Sequence, residues 1–589
     1  MQDEMRVVSA SRTAKSVKEL PVTVYVITRA EILANGYTTL ADVLKSLPGI
    51  KVQQPATGDE GEKFSMRGLS GNYYTKILVN NVAVLPSVLN GMPISAQLPI
   101  RQAERIEIIY GAASAIYGSD AAAGVINIVT KMPESLSFAQ ADAVIGNNGY
   151  NYSNFSVGGK TGKNRNILQY TIYGNRMQFS NMNLKSEMDT LSDPMAFLTQ
   201  MFSNITANGT QLDTARMYDF FGGEKSFYDL YNTWAESDFK IKYAQNSEAI
   251  GTTFKYRNWS GSLDYMHRSN ENTLNALALL VDGQGESSNV GEAISRMSVT
   301  YSLNRKKWAA ISTLSYLRMR SDRPELIKSD ASGGGTSNYL ASDDLIFDQL
   351  AVYNYSESME IVAGVQYKMS GNFILSQDFS GYLEDINYNW FDTDLENAVQ
   401  ALNDAGITPY LYHNGGVFAQ MVNKIGKFSF ILGTRFDYDS RHGGSSNPRF
   451  AVLYSPNNKF SFRVSAGTAF KAPSIAVSNN TFRLNFADDS LKQTTKGQTK
   501  FLQPETARTF EAGYRHQISR RSYLDIAIYN SSLQNLIATE VGNQSLTATD
   551  VNDFVSENVK DANSVLFGIQ VLFTTRNIIP SIKLNTDIN

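Results

Sequence analysis

The 589-residue chain contains no cysteine. That absence excludes disulfide scaffolds, thiolate metal centres and cysteine nucleophiles outright. The chain also lacks any run of about 18 apolar residues, so no helix is long and greasy enough to span a bilayer. Membrane barrels escape this second test. Their strands alternate outward apolar with inward polar residues, which is compatible with a mean hydropathy of -0.26. An excess of either charge is missing too: 53 Lys and Arg stand against 56 Asp and Glu, and no broad basic surface points to nucleic acid as a partner. Imidazoles are few. His267, His413, His442 and His516 lie far apart, and neither HExxH nor GxSxG occurs, so the usual hydrolase and metalloenzyme machinery is missing. With only 15 Pro and 42 Gly, collagen-like and low-complexity disordered chains are excluded as well. No catalytic residue, metal site or cofactor is expected.

What the chain does have is aromatic side chains, 11% of the residues with 31 Tyr and 30 Phe, which suits sheets whose surfaces need amphipathic rings. Residues 20–132 read as a mixed α/β unit. A β-rich run at 22–28 precedes a stretch at 38–47 in which Leu40, Val43, Leu44 and Leu47 share one helical face, ended by Pro48-Gly49. Short strands are expected at 76–79, 105–110 and 125–130, between Gly-rich turns.

From 133 onward the texture changes to long alternating segments. In 428–439, Phe428, Phe430, Leu432, Thr434, Phe436 and Tyr438 share one face, while Ser429, Gly433, Arg435, Asp437 and Asp439 share the other. Segments 166–175 and 522–530 repeat the pattern. Short turns at 161–165, 455–459 and 517–521 contrast with long connections at about 176–240 and 474–503. A water-soluble sandwich or propeller gives similar strands. Alternating connection lengths favour a membrane barrel. In the loop at 376–412, residues 392–406 carry Leu395, Val399 and Leu402 at helical spacing, which predicts a short helix over a ligand mouth or against neighbouring loops. Gly158-Gly159-Lys160-Thr161-Gly162-Lys163 lacks phosphate-loop spacing and reads as a turn.

The run Arg105-Ile106-Glu107-Ile108-Ile109-Tyr110-Gly111-Ala112-Ala113-Ser114-Ala115-Ile116-Tyr117-Gly118-Ser119-Asp120-Ala121-Ala122-Ala123-Gly124-Val125-Ile126-Asn127-Ile128-Val129-Thr130-Lys131 resembles the plug signature of TonB-dependent receptors, with Gly111-Ala112 in place of the usual Gly-Pro. Leu20-Pro21-Val22, Asp42-Val43-Leu44, Leu47-Pro48-Gly49-Ile50 and Met66-Arg67-Gly68 resemble the same plug in the family's order. Further on, Phe470-Lys471-Ala472-Pro473-Ser474 and Leu502-Gln503-Pro504-Glu505-Thr506 resemble the family's FRAP-type box and the box that follows. Haem receptors of the family carry a His between those boxes, and none occurs here from Pro473 to Gln503.

The resemblance implies a mainly β protein: a large antiparallel transmembrane β-barrel over 133–589, an N-terminal mixed α/β plug over 20–132 in its lumen, and a TonB box with linker over 1–19. It places the chain in the bacterial outer membrane, importing a scarce nutrient, with chelated iron ahead of haem, cobalamin, peptides or glycans. The implied partners are outer-membrane lipid, a small chelate, TonB and, in some systems, a surface lipoprotein. Glu4-Met5-Arg6-Val7-Val8-Ser9-Ala10 is similar to a TonB box, an exposed extended segment able to add as a strand to TonB's sheet. Family topology puts 53–63, 70–75 and 85–92 at the plug apex, with Gln53, Gln54, Tyr73, Tyr74 and Asn90 as candidate ligand contacts; an aromatic body with a polar tip suits a partly wet site. Arg67, Arg105 and Glu107 fit buried ion pairs between plug and wall, and fit solvated or purely structural pairs equally well. An outer-membrane enzyme and a passive porin or adhesion barrel are the competing classes. The start, Met1-Gln2-Asp3-Glu4, lacks the regions of a signal peptide, as in a cytosolic chain or one whose leader was removed and replaced. Residues 581–589 alternate cleanly and end without the family's terminal aromatic, so roughly five of about 22 expected strands are missing from the sequence.

Overall fold

The computed structural model describes residues 6–9, 12–13, 15–53, 62–133, 135–163, 166–179, 203–206, 209–212, 214–215, 218, 223–228, 245–271, 289–321, 325–328, 335–377, 408–478, 502–519, 522–541, 554–559, 563–575 and 586–588. The expected helix at 392–406 lies outside them.

Thr39 starts the helix Leu40–Lys45 with a reciprocal cap: its hydroxyl accepts from the Asp42 N–H, and the Asp42 carboxylate accepts from the Thr39 N–H. Leu40, Val43 and Leu44 are fully buried, each worth roughly 1.5–3 kcal/mol relative to exposure. The helix is shorter than the apolar pattern suggested, because Ser46 and Leu47 already turn back onto Val43 and Leu44. Around it lies a five-stranded sheet in the order Val24–Thr28, Ala103–Tyr110, Gly124–Thr130, Thr75–Val79, Val82–Ala83. One of its pairings, Gly124–Thr130 with Thr75–Val79, is parallel. The expected strands all appear within two residues of these bounds. Gly124 is required here: a Cβ would stand 2.1 Å from the Ile109 carbonyl oxygen.

Among the described residues, eighteen further strands form one antiparallel sheet in chain order, from Ser137–Ile145 to Thr586–Ile588, and one of its faces packs on this core. Strand Phe428–Asp439 has the bounds and faces that its alternation predicts. Phe428, Leu432, Phe436 and Tyr438 are exposed outward, and Arg435, Asp437 and Asp439 are buried inward. The glycine-rich stretch after 158 is the end of strand Asn151–Thr161 and a turn in which Gly162 has φ +107°. Tight turns such as 257–258 and 426–427 gather at one rim. The opposite rim carries most of the long connections, but also two tight turns, at 146–150 and 440–442. Arg441 braces the second of these by binding Asp439 at 2.9 Å and the Pro473 carbonyl at 3.0 Å.

Outward rings line both rims. At the short-turn rim Trp259 meets Tyr301 at 4.8 Å between ring centroids, Phe428 meets Tyr454 at 4.7 Å and Phe462 meets Tyr514 at 5.1 Å. Toward the other rim Tyr367 stacks on His413. Such paired aromatic girdles flank the apolar band of a membrane barrel.

Candidate functional site

Tyr73 and Tyr74 sit in the single helical turn Gly71–Tyr74. Asn72 fixes that turn, donating to the carbonyls of Glu62 and Met92 and accepting from the Phe64 N–H. From the barrel wall Lys471 reaches over it. Its ammonium is 4.5 Å from the Tyr73 ring centre and 5.4 Å from that of Tyr74, and it donates to Asn90 Oδ1 at 2.6 Å. The Tyr74 hydroxyl donates to Glu505 at 2.7 Å; burial and that carboxylate hold its pKa above the ordinary tyrosine value, so it remains a donor. Glu505 also accepts from the Ile537 N–H. The structure thus brings Tyr73, Tyr74 and Asn90 together around a lysine. Gln53 is exposed at the end of strand Ile50–Gln53 and takes no part in these contacts. Gln54 lies outside the described residues. Lys471 and Glu505 escaped sequence reasoning, although each stands inside one of the two boxes that resemble the family's barrel motifs. Farther around the rim, Arg441 covers the Tyr412 ring at 3.7 Å. His442 is buried beside Asp439, and burial lowers its pKa.

At the other end, Arg6–Val7 pairs antiparallel with Lys15–Ser16. Glu4, Met5 and Ala10 are outside the described residues. The expected exposure of this box does not hold for Val7 and Ser9, which are buried completely. The cause is Glu107, whose carboxylate accepts from the Val8 N–H at 3.0 Å, the Ser9 N–H at 2.9 Å and the Ser9 hydroxyl at 2.5 Å. Tyr117 donates to the Ser9 carbonyl and Asn127 to its hydroxyl. Beyond it Arg12 pairs with Asp348 at 3.6 Å, and Lys15 with Glu360 at 3.1 Å.

Of the ion pairs expected between plug and wall, Arg67 makes one. It binds Glu511 at 2.6 Å, both side chains buried. Glu511 also takes Arg463, which binds Asp525, which binds Arg515. Arg105 and Glu107 take the structural alternative instead: they pair with each other at 2.7 Å within the plug, because both project from the one strand Ala103–Tyr110 two residues apart.

An inner domain filling a large antiparallel sheet, with lipid-facing rings outside and buried plug-to-wall ion pairs inside, defines a plugged outer-membrane receptor. Two family descriptions match the chain: "TonB-dependent Receptor Plug Domain" over residues 16–125 and "TonB dependent receptor-like, beta-barrel" over residues 135–578. The chain belongs to the TonB-dependent receptors, a family of transporters rather than enzymes.

Among curated relatives, the vitamin B12 transporter BtuB of Vibrio vulnificus is 25% identical over 544 residues, covering 90% of this chain and 70% of that protein. BtuB of Photobacterium profundum is 33% identical over 161 residues, 27% of this chain and 26% of that protein. The iron-regulated outer membrane virulence protein of Vibrio cholerae is 36% identical over 140 residues, 22% of this chain and 20% of that protein. The latter two matches therefore span about a quarter or less of those relatives' lengths. Among solved structures, the ferric enterobactin receptor of Pseudomonas aeruginosa superposes with TM-score 0.65 at 16% identity, covering 96% of this chain and 79% of that one. The ferric yersiniabactin uptake receptor of Yersinia pestis gives 0.64 at 11%, covering 98% and 79%. At those identities the likeness establishes the fold.

Proposed function

We propose that this protein actively imports a scarce solute across the bacterial outer membrane, with an iron chelate of the siderophore class as cargo and TonB as the partner that engages residues 4–10. The observation that carries the reading is the polarity of the plug. One end presents an aromatic and cationic cluster, Tyr73, Tyr74, Asn90 and Lys471. The other holds an extended N-terminal segment in which the Glu107 carboxylate accepts from the Val8 and Ser9 N–H groups and the Ser9 hydroxyl. Rings with polar edges and a lysine suit an anionic chelate whose ligands carry aromatic or polar groups. Cobalamin is the second reading, favoured by the names of the Vibrio vulnificus and Photobacterium relatives.

The test has two parts. Purified receptor is titrated with ferric siderophores and with cyanocobalamin, and cells carrying it are assayed for uptake of the ligand that binds. Deleting residues 4–10 is expected to abolish uptake while binding persists. Unchanged uptake would sink active import, and tight binding of cyanocobalamin alone would replace the siderophore reading. Lys471→Met is expected to weaken binding about tenfold, the order of one desolvated cation–π contact with its hydrogen bond.

A further inference from the structure

On its outward face the wall carries a groove of about 850 Å³. The backbone makes it. The ladder joining Gly443–Tyr454 to Phe460–Lys471 stops at Arg449 and Gly467, because the next residue, Pro448, has no N–H with which to continue it. Beyond that point the strand Phe460–Lys471 turns toward the plug. The Phe470 N–H donates to Ser114 Oγ at 3.3 Å, and the Phe470 carbonyl accepts from the Asp120 N–H at 3.0 Å. Phe470 shares the outward face of Phe462 and Val464 by alternation, yet it is buried.

Register sets the floor and bank of the groove. Ala419, Thr434 and Pro448 are paired across three strands, as are Thr468, Arg508 and Ser532 across the next three. These short side chains, interrupted by the one arginine, make a floor. Leu432, Phe450 and Phe510 belong to the adjoining row and stand exposed as an apolar bank. From Thr408–Ile425 to Ser522–Gln534 the floor crosses five interstrand spacings, about 24 Å. In a barrel whose strands tilt by about 35–45° such a row drops roughly 15 Å, the depth of one leaflet of hydrocarbon. Its upper end is at Arg508, near the long-connection end of Glu505–Gln517, whereas Ala419 lies well down Thr408–Ile425.

Arg508 is exposed between buried Ala507 and Thr509, so it points away from the lumen. Arg176, Arg318 and Arg320 also point outward in that half of the wall, each beside an acid. Arg176 is opposite Glu248 in register, and Arg318 and Arg320 lie 4.0 and 2.7 Å from Asp343. Among the described residues Arg508 has neither an ion pair nor a hydrogen bond. A guanidinium at the headgroup level that the protein leaves uncompensated calls for an anion from the membrane, and its planar fork matches two phosphate oxygens. Asn530, exposed on the next strand, adds an amide donor beside it.

We propose that this groove seats one lipid with a phosphorylated headgroup, its phosphate on Arg508 and Asn530 and an acyl chain lying along the floor toward Ala419. The site is on the outside of the barrel and is independent of cargo and of the plug apex.

The natural absence of cysteine allows a single fluorophore to be placed in the groove. The full chain carries bimane on Thr434→Cys, in phosphatidylcholine vesicles doped with either phosphatidic acid or phosphatidylcholine bearing a nitroxide on the acyl chain. Phosphatidic acid is expected to quench about fivefold more effectively, the order of one partly exposed charge-assisted contact. Arg508→Gln is expected to erase that preference and Arg508→Lys to keep part of it. Bimane on Leu263→Cys, an exposed position on a distant strand, reports general attraction to anionic lipid and is expected to show no preference. Equal quenching by the two lipids at position 434 overturns the proposal, as does a preference that survives Arg508→Gln or recurs at position 263. Loss of the preference in excess inorganic phosphate overturns it too, because the site would then belong to a soluble anion.

Discussion

Glu511→Gln and Arg67→Met remove opposite ends of the same 2.6 Å ion pair, yet the structure predicts unequal losses. Three arginines, Arg67, Arg463 and Arg515, share two carboxylates, Glu511 and Asp525. Removing Arg67 leaves two cations against two anions, and Glu511 keeps Arg463 and the Thr23 hydroxyl. The loss is then one charge-assisted contact, about 1.5–3 kcal/mol. Removing Glu511 leaves three buried cations facing Asp525 alone, and breaking a buried pair in this way costs about 3–5 kcal/mol. Combining the two changes restores part of the balance, so the double variant is expected to be more stable than Glu511→Gln alone. The assay is calorimetry of the purified receptor in detergent, with amide exchange at Ile106 and Ile126 reporting the plug. For a unit of about 100 residues each kcal/mol moves the midpoint by roughly 4–8 °C. If Arg67→Met proves as damaging as Glu511→Gln, or the double variant worse than either, the charge count is wrong.

Glu107→Gln weakens three hydrogen bonds to residues 8 and 9. A spin label or protease site placed at the N-terminus is expected to become mobile or cleavable, with a loss of about 1.5–3 kcal/mol in segment docking; an unchanged spectrum would show that Tyr117 and Asn127 hold the segment by themselves. Gly124→Ala forces a methyl to 2.1 Å from the Ile109 oxygen, so the sheet must part there, and destabilisation of about 3 kcal/mol or outright loss of folded receptor is expected in heat-modifiability gels. Lys76 is pulled down to about 8 by burial, its ammonium held by the carbonyls of Tyr117 and Ser119. The unfolded chain therefore binds more protons between that value and the ordinary lysine range, and this residue's contribution to stability rises with pH across the interval. Lys76→Met is expected to remove that rise from a series of melting curves, and an identical slope in both proteins would contradict it.

Much of this was legible in the sequence because it is local. Period-two alternation gave Phe428–Asp439 its bounds and faces, and the run from Arg105 to Lys131 carried the plug. The plug apex was half legible: Tyr73, Tyr74 and Asn90 were chosen by chain position, but the lysine that gathers them arrives from 381 residues beyond Asn90. The pairing of Arg67 with Glu511, 444 residues away, was foreseen in kind but not in partner, since charge composition says nothing of register across a lumen. Burial of Val7 and Ser9 was invisible for the same reason. An extended β-prone segment looks exposed until the carboxylate that captures it is known, and nothing local in the sequence marks Glu107 as that carboxylate.

The paired rings at the rims have a mechanical meaning. A load applied to the plug from the short-turn side passes through Arg67 and Glu511 into the wall, and would drag the whole barrel along its axis unless something bears the reaction. Trp259, Tyr301, Phe428, Tyr454, Phe462 and Tyr514 seat one rim at the level where amphipathic rings are most stable. Sliding the barrel means lifting those rings out of that level, so the bilayer acts as the abutment against which the plug is worked.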